Sequence, residues 1–87
     1  MDKAIEKLIA EYGFEAGTSG GGCMWFTKPT TYKGKPAFIA ITDESGCRLP
    51  ESLDSPIMVG IHDLEGGEIS ETVKDYPSLK SYFDTIQ

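Results

Sequence analysis

The chain contains one histidine and two cysteines, and these side chains have the widest chemical range of any in the sequence. A thiol activated by an imidazole is a nucleophile, so Cys23 with His62 as its base is the sharpest enzymatic hypothesis. Nothing in the spacing brings the two together. Cys47 and Asp63 would complete the ligand types of a zinc site, but the closely spaced ligand pairs typical of such sites are missing. The sequence therefore predicts no catalytic group, metal or cofactor.

A run of three glycines, Gly20–Gly22, directly precedes Cys23. Consecutive glycines can present backbone N–H groups to an anion or let a ligand approach the chain closely. This run lacks the lysine and hydroxyl of a phosphate-binding loop, and a strand rather than a helix follows it. We therefore predict that residues 16–22 form a flexible connection. A small ligand-binding domain or enzyme, with its site between Gly20–Gly22 and His62, remains the alternative function.

The net charge of −6 and the isoelectric point near 4.6 count against nucleic acid as a partner. Three lysines, Lys28, Lys33 and Lys35, cluster in one short segment. Together with Trp25 and Tyr32, these lysines could contact nucleic acid, and this is the weakest of three functional hypotheses. We interpret the lysines instead as the solvated tip of a hairpin.

Acidic residues gather near two predicted loops: Asp43, Glu44, Asp54, Asp63 and Glu65. Paired carboxylates can bind a divalent cation or transfer protons. Because none follows the spacing of a calcium-binding loop, we interpret them as a solvated acidic rim.

The cellular location of the protein is predicted from its N-terminal segment, its apolar runs and its cysteines. The charged, amphipathic start of the chain lacks the apolar core of a signal peptide, and no apolar run approaches the roughly 20 residues needed to cross a bilayer. We therefore predict a cytoplasmic protein without a membrane partner, in which Cys23 and Cys47 are free thiols. A disulfide between them is the alternative for an exported chain.

The elements are organised around a strand at Lys35–Asp43, which is apolar on both alternating faces and so predicted to be central. Apolar residues at helical spacing predict a helix over 2–12, capped by Asp2 and ended by Gly13. The remaining predicted elements are strands at 23–28, 57–63 and 69–74, a hairpin loop at 28–36, and a helix at 78–86 capped by Ser78.

Residues 1–87 are thus predicted to form one α+β domain with the order α-β-β-β-β-α. The expected architecture is a two-layer sandwich, in which a three- to four-stranded antiparallel meander carries both helices on one face. The other face would then meet water or a partner.

This second face is the main functional candidate. Depending on register it presents Met24 and Phe26, or else Cys23 and Trp25. The candidate interaction surface is Cys23, Trp25, Phe38, Met58 and His62. Aromatic and methionine side chains on an open face are typical of interaction surfaces.

An equally weighted alternative is that the long 44–56 connection covers this face through Leu49 and Leu53. The sequence favours a non-enzymatic interaction module whose partner is a protein, either a second copy or another chain.

Overall fold

The structure is a computed structural model that describes residues 3–86, with five strands between an N-terminal and a C-terminal helix. The elements are α1 (Lys3–Glu11), β1 (Glu15–Gly20), β2 (Cys23–Tyr32), β3 (Lys35–Asp43), β4 (Ile57–Asp63), β5 (Glu68–Tyr76) and α2 (Leu79–Asp84). The strands form one sheet in the order β1-β2-β3-β4-β5, and each is antiparallel to its neighbours. The predicted α+β class and meander are confirmed, with five strands instead of three or four.

Both helices pack on one face of this sheet. Ile5 and Ile9 of α1 lie one turn apart and are buried, as the helical spacing predicts. Phe83 of α2 stacks on Tyr12, with ring centroids 4.3 Å apart. The core cluster joins both helices to three central strands through Ile5, Ile9, Phe14, Phe26, Ile41, Ile57, Val59, Leu79, Tyr82 and Phe83. The sheet therefore has one face covered by helices.

The ends of the helices follow their capping signals. The Ser78 hydroxyl accepts a hydrogen bond from the backbone N–H of Ser81, and the Ser81 hydroxyl accepts one from the N–H of Ser78. This reciprocal pair satisfies two backbone donors at the start of α2, where the sequence predicts it. At the other end of the chain α1 stops before Gly13, also as predicted. The predicted cap Asp2 lies outside the described residues.

The first strand corrects the sequence prediction, because residues 16–22 are not simply a flexible connection. Residues Glu15–Gly20 form β1 and pair with β2 from Glu15 opposite Thr27 to Gly20 opposite Cys23. Gly21 and Gly22 have φ values of +60° and +84°, the conformation of a tight two-residue hairpin turn. The sequence did not predict β1 because its residues have low strand propensity. Backbone pairing to β2 stabilises the strand.

The second strand is also longer than predicted. It runs through Pro29 to Tyr32, so the predicted hairpin loop at 28–36 shrinks to a turn at Lys33 and Gly34. Proline removes a backbone donor and is tolerated at sheet edges. Since β1 begins at Glu15 opposite Thr27, β2 has no strand on that side beyond Thr27, and Pro29 lies where one donor can be absent.

The 44–56 connection has no helix or strand, as predicted, and only its start, at Gly46, reaches the second face, beside Met58. Leu49 and Leu53 pack against the helix-side core. Backbone hydrogen bonds hold its first part beside the sheet, from the N–H of Met24 to the carbonyl of Cys47 and from the N–H of Asp43 to the carbonyl of Arg48. The sheet face opposite the helices therefore stays uncovered by these leucines, which excludes the alternative of a second core beneath them.

Candidate functional site

The strand register decides which side chains share the face opposite the helices, here called the open face. Phe26 is in the helix-side core, so its neighbours Trp25 and Thr27 point the other way. Directly paired residues lie on the same side of a sheet. Following the pairs across the strands gives the open-face positions Glu15, Gly17, Trp25, Thr27, Pro29, Thr31, Pro36, Phe38, Ala40, Thr42, Met58, Gly60, His62, Glu68 and Asp75. Of the two registers that the sequence allowed, the structure has the one with Cys23 and Trp25.

Three aromatic side chains of the candidate surface form one cluster on this face. The ring centroid of Trp25 is 5.3 Å from that of Phe38 and 5.1 Å from that of His62, both in edge-to-face geometry. Phe38 and His62 are directly opposite on β3 and β4, and their rings stack at 5.3 Å. Such pairs contribute about 0.5–1.5 kcal/mol beyond the area they bury. The rings therefore fix one another in place, and each stays only partly buried.

His62 is held by polar contacts as well as by the rings. Its side chain is only 12% exposed. Nδ1 lies 3.3 Å from the carbonyl oxygen of Gly66, and Nε2 lies 3.8 Å from a carboxylate oxygen of Glu68. In the tautomer with the proton on Nδ1, that atom donates a hydrogen bond to the Gly66 carbonyl. The His62 ring thus lies between the aromatic cluster and an acidic group.

A hollow of about 70 Å³ lies beside the cluster. Its lining is Trp25, Ala40, Thr42, Gly46, Met58, Gly60, His62, Glu68 and Val73. Ala40 and Gly60 are directly opposite on β3 and β4, so small residues form part of its lining, and the larger side chains surround them. Val73 closes one side, because its Cγ2 lies 3.2 Å from where a Cβ of Gly60 would be.

Four of the five predicted surface residues are therefore brought together, and Cys23 has a different role. Cys23 and Cys47 form a disulfide, with their Cα atoms 4.5 Å apart. The prediction of two free thiols is wrong for this structure, because the start of the 44–56 connection runs beside the start of β2. The bond takes up both sulfurs, so neither the Cys23–His62 nucleophile pair nor the zinc ligand set is present in this form.

The alternative site was predicted between Gly20–Gly22 and His62. Gly21, Gly22 and Cys23 do not line the hollow beside His62.

Two of the acidic residues near the loops, Asp43 and Asp63, cap turns. Asp63 accepts backbone hydrogen bonds from Glu65 and Gly67 at 2.9 Å each, and Asp43 accepts one from Ser45. Residues 3–86 contain no group of three or more side chains suited to hold a metal.

Charge is distributed unequally between the two faces of the sheet. At the open-face positions of the paired strand residues the charged side chains are all acidic, namely Glu15, Glu68 and Asp75. The strand lysines Lys28, Lys35 and Lys74 have helix-side positions in the same register. Lys28 confirms this by lying over the Phe14 ring, 5.8 Å from its centroid. Trp25 and these lysines therefore lie on opposite faces of the sheet.

Lys33, the remaining basic residue of the nucleic-acid hypothesis, forms an ion pair at the hairpin tip. Lys33 lies 3.3 Å from a carboxylate oxygen of Glu71, which also accepts a hydrogen bond from the Tyr32 hydroxyl at 2.8 Å. The Tyr32 hydroxyl, and then Lys33, lower the pKa of Glu71 below its usual value. Both charged side chains are exposed, so this network adds little stability.

Glu68 was not predicted as part of this surface. Its pairing with His62 depends on the length of the turn between β4 and β5, which the Glu65–Glu68 stretch does not determine. In the described part of the chain, no helix is long and apolar enough to span a bilayer. Comparisons with models of known protein families, with curated proteins and with solved structures found nothing that matches this chain.

Proposed function

We propose that this chain is a non-enzymatic protein-interaction module that binds another protein through its open face. The observation that carries the proposal is the cluster of Trp25, Phe38 and His62, which lies on the face opposite the helices and remains partly exposed there. Aromatic residues and methionine are enriched in protein interfaces, where they supply large contact areas at low entropic cost.

Two features favour a different protein over a second copy or a small ligand. Two copies meeting face to face would bring the acidic groups Glu15, Glu68 and Asp75 toward one another, which repulsion disfavours. The hollow of about 70 Å³ is well below the roughly 300–1,000 Å³ typical of pockets for small organic molecules. A macromolecule that covers the whole face is the better fit.

The disulfide bears on where this binding takes place. Disulfides persist in oxidising compartments and are rare where glutathione keeps thiols reduced. The Cys23–Cys47 bond therefore supports a working location outside a reducing cytoplasm, and we propose this in place of the cytoplasmic location predicted from the sequence.

Replacing Trp25 by alanine tests the proposal. We expect the variant to recover the partner from an extract at least about tenfold less efficiently than the original protein, because central tryptophans dominate binding energy. The matched control is Leu64→Ala, which removes an apolar side chain that is 68% exposed in a turn outside the open face.

The measurement is quantitative affinity capture with immobilised, oxidised protein, after circular dichroism has shown that each variant is folded. Retention of the same proteins in the same amounts by the Trp25 variant would contradict the proposal.

A further inference from the structure

The open-face hollow has a size that suits the head group of a side chain. Its volume is about 70 Å³, and roughly 10–15 Å³ of such space is enough to hold one water molecule. The hollow therefore has room for a few water molecules or for one small polar group. A planar guanidinium group or an ammonium group is of this size, whereas an aromatic or long aliphatic side chain is larger.

The chemistry of the lining favours a positive head group. Trp25 and His62 contribute rings, Met58 contributes a polarizable thioether, and Glu68 contributes a carboxylate whose side chain is 49% exposed. Aromatic faces attract cations through their quadrupole, and tryptophan does so most strongly. A carboxylate beside them adds direct charge complementarity.

The charge of the surrounding face points the same way. Acidic residues alone occupy its charged strand positions, and the strand lysines lie on the helix side. With a net charge of −6, the chain attracts basic segments over longer range as well.

We infer that the open face recognises a basic segment of its protein partner by receiving an arginine side chain between Trp25 and Glu68. This inference rests on the proposed function and names the chemistry of the partner. Arginine fits better than lysine because its planar guanidinium stacks on an aromatic ring and offers paired donors to a carboxylate. In the free protein His62 Nε2 lies 3.8 Å from a carboxylate oxygen of Glu68. In the complex the guanidinium lies next to that carboxylate.

The test uses the fluorescence of Trp25, which is the chain's one tryptophan and lines the hollow. The probe is a blocked peptide that alternates arginine and glycine, added to the full oxidised chain at low salt. Matched peptides carry lysine, or the neutral arginine isostere citrulline, at the same positions. We expect a saturable change with the arginine peptide, weaker binding with lysine, and none with citrulline.

Two charge variants separate recognition from general attraction. Glu68→Gln is expected to weaken binding of the arginine peptide about fivefold, as for loss of a partly exposed ion pair. Glu11→Gln removes the same charge from the exposed side of α1 and is expected to leave the affinity within about twofold.

The inference is overturned if the two variants weaken binding equally, if citrulline binds as well as arginine, or if no saturable change occurs. Its failure is distinguishable from failure of the proposed function. If partner capture still depends on Trp25 but the arginine peptide does not bind, the interaction module is supported and only the cationic partner is ruled out. Capture that does not depend on Trp25 would remove the module itself.

Discussion

Replacing Phe83 by alanine is expected to lower the free energy of unfolding by about 3–5 kcal/mol. Phe83 is 2% exposed and touches three other rings, stacking on Tyr12 and packing edge-on against Phe14. Removing it opens a cavity where α2 meets the end of α1. Because domains of this size are stable by only about 5–15 kcal/mol, the variant is expected to be close to unfolding.

The measurement is urea denaturation followed by far-ultraviolet circular dichroism. Lys80→Ala, on the exposed side of the same helix, is the control and is expected to change stability by no more than about 0.5 kcal/mol. Equal effects of the two substitutions would show that α2 does not pack into the core as described.

Loss of the Cys23–Cys47 disulfide is expected to lower the free energy of unfolding by about 3 kcal/mol. The bond joins residues 24 positions apart, and the chain-entropy model relates the stabilisation to the length of the closed loop. The expected effect is on the unfolded chain, since backbone hydrogen bonds from Met24 and Asp43 also hold the start of the connection in the folded state. The reduced protein is therefore expected to keep its fold with a lower denaturation midpoint.

The experiment compares denaturation with and without a dithiol reductant, together with the double variant Cys23→Ser, Cys47→Ser. The double variant is expected to have the denaturation midpoint of the reduced protein, and the reductant is expected to leave that midpoint unchanged. Two titratable thiols in protein purified without reductant, together with a denaturation midpoint that is the same with and without the reductant, would contradict the disulfide and the oxidising location proposed from it.

The parts of the fold that could be predicted are those with strong periodic patterns. Both helices have apolar residues at helical spacing, and β3 and β4 are short apolar runs with β-branched residues bounded by turn signals. The strand β1 has no such pattern. Its sequence, Glu-Ala-Gly-Thr-Ser-Gly, is poor in strand-forming residues, and it exists because Gly21 and Gly22 turn it back onto β2.

The candidate site was predicted in part for the same reason. Trp25, Phe38, Met58 and His62 were named because alternation along each strand assigns them to one face. Alternation places the small residues Ala40 and Gly60 on that face as well, but Glu68 depends on register between strands, which a single sequence specifies weakly when turn lengths are open. The disulfide depends on the path of an irregular connection, and no local pattern determines that path.

The most direct test of the open face as a protein-binding surface is site-specific photo-crosslinking from Thr27. This residue lies on the open face two positions from Trp25. A benzophenone side chain at Thr27, activated in an extract under non-reducing conditions, is expected to give a discrete adduct with another protein that disappears when Trp25 is also changed to alanine. The same group at Lys7, exposed on α1, is expected to give no such adduct. Absence of an adduct from Thr27, or the same adduct from both positions, would contradict the account.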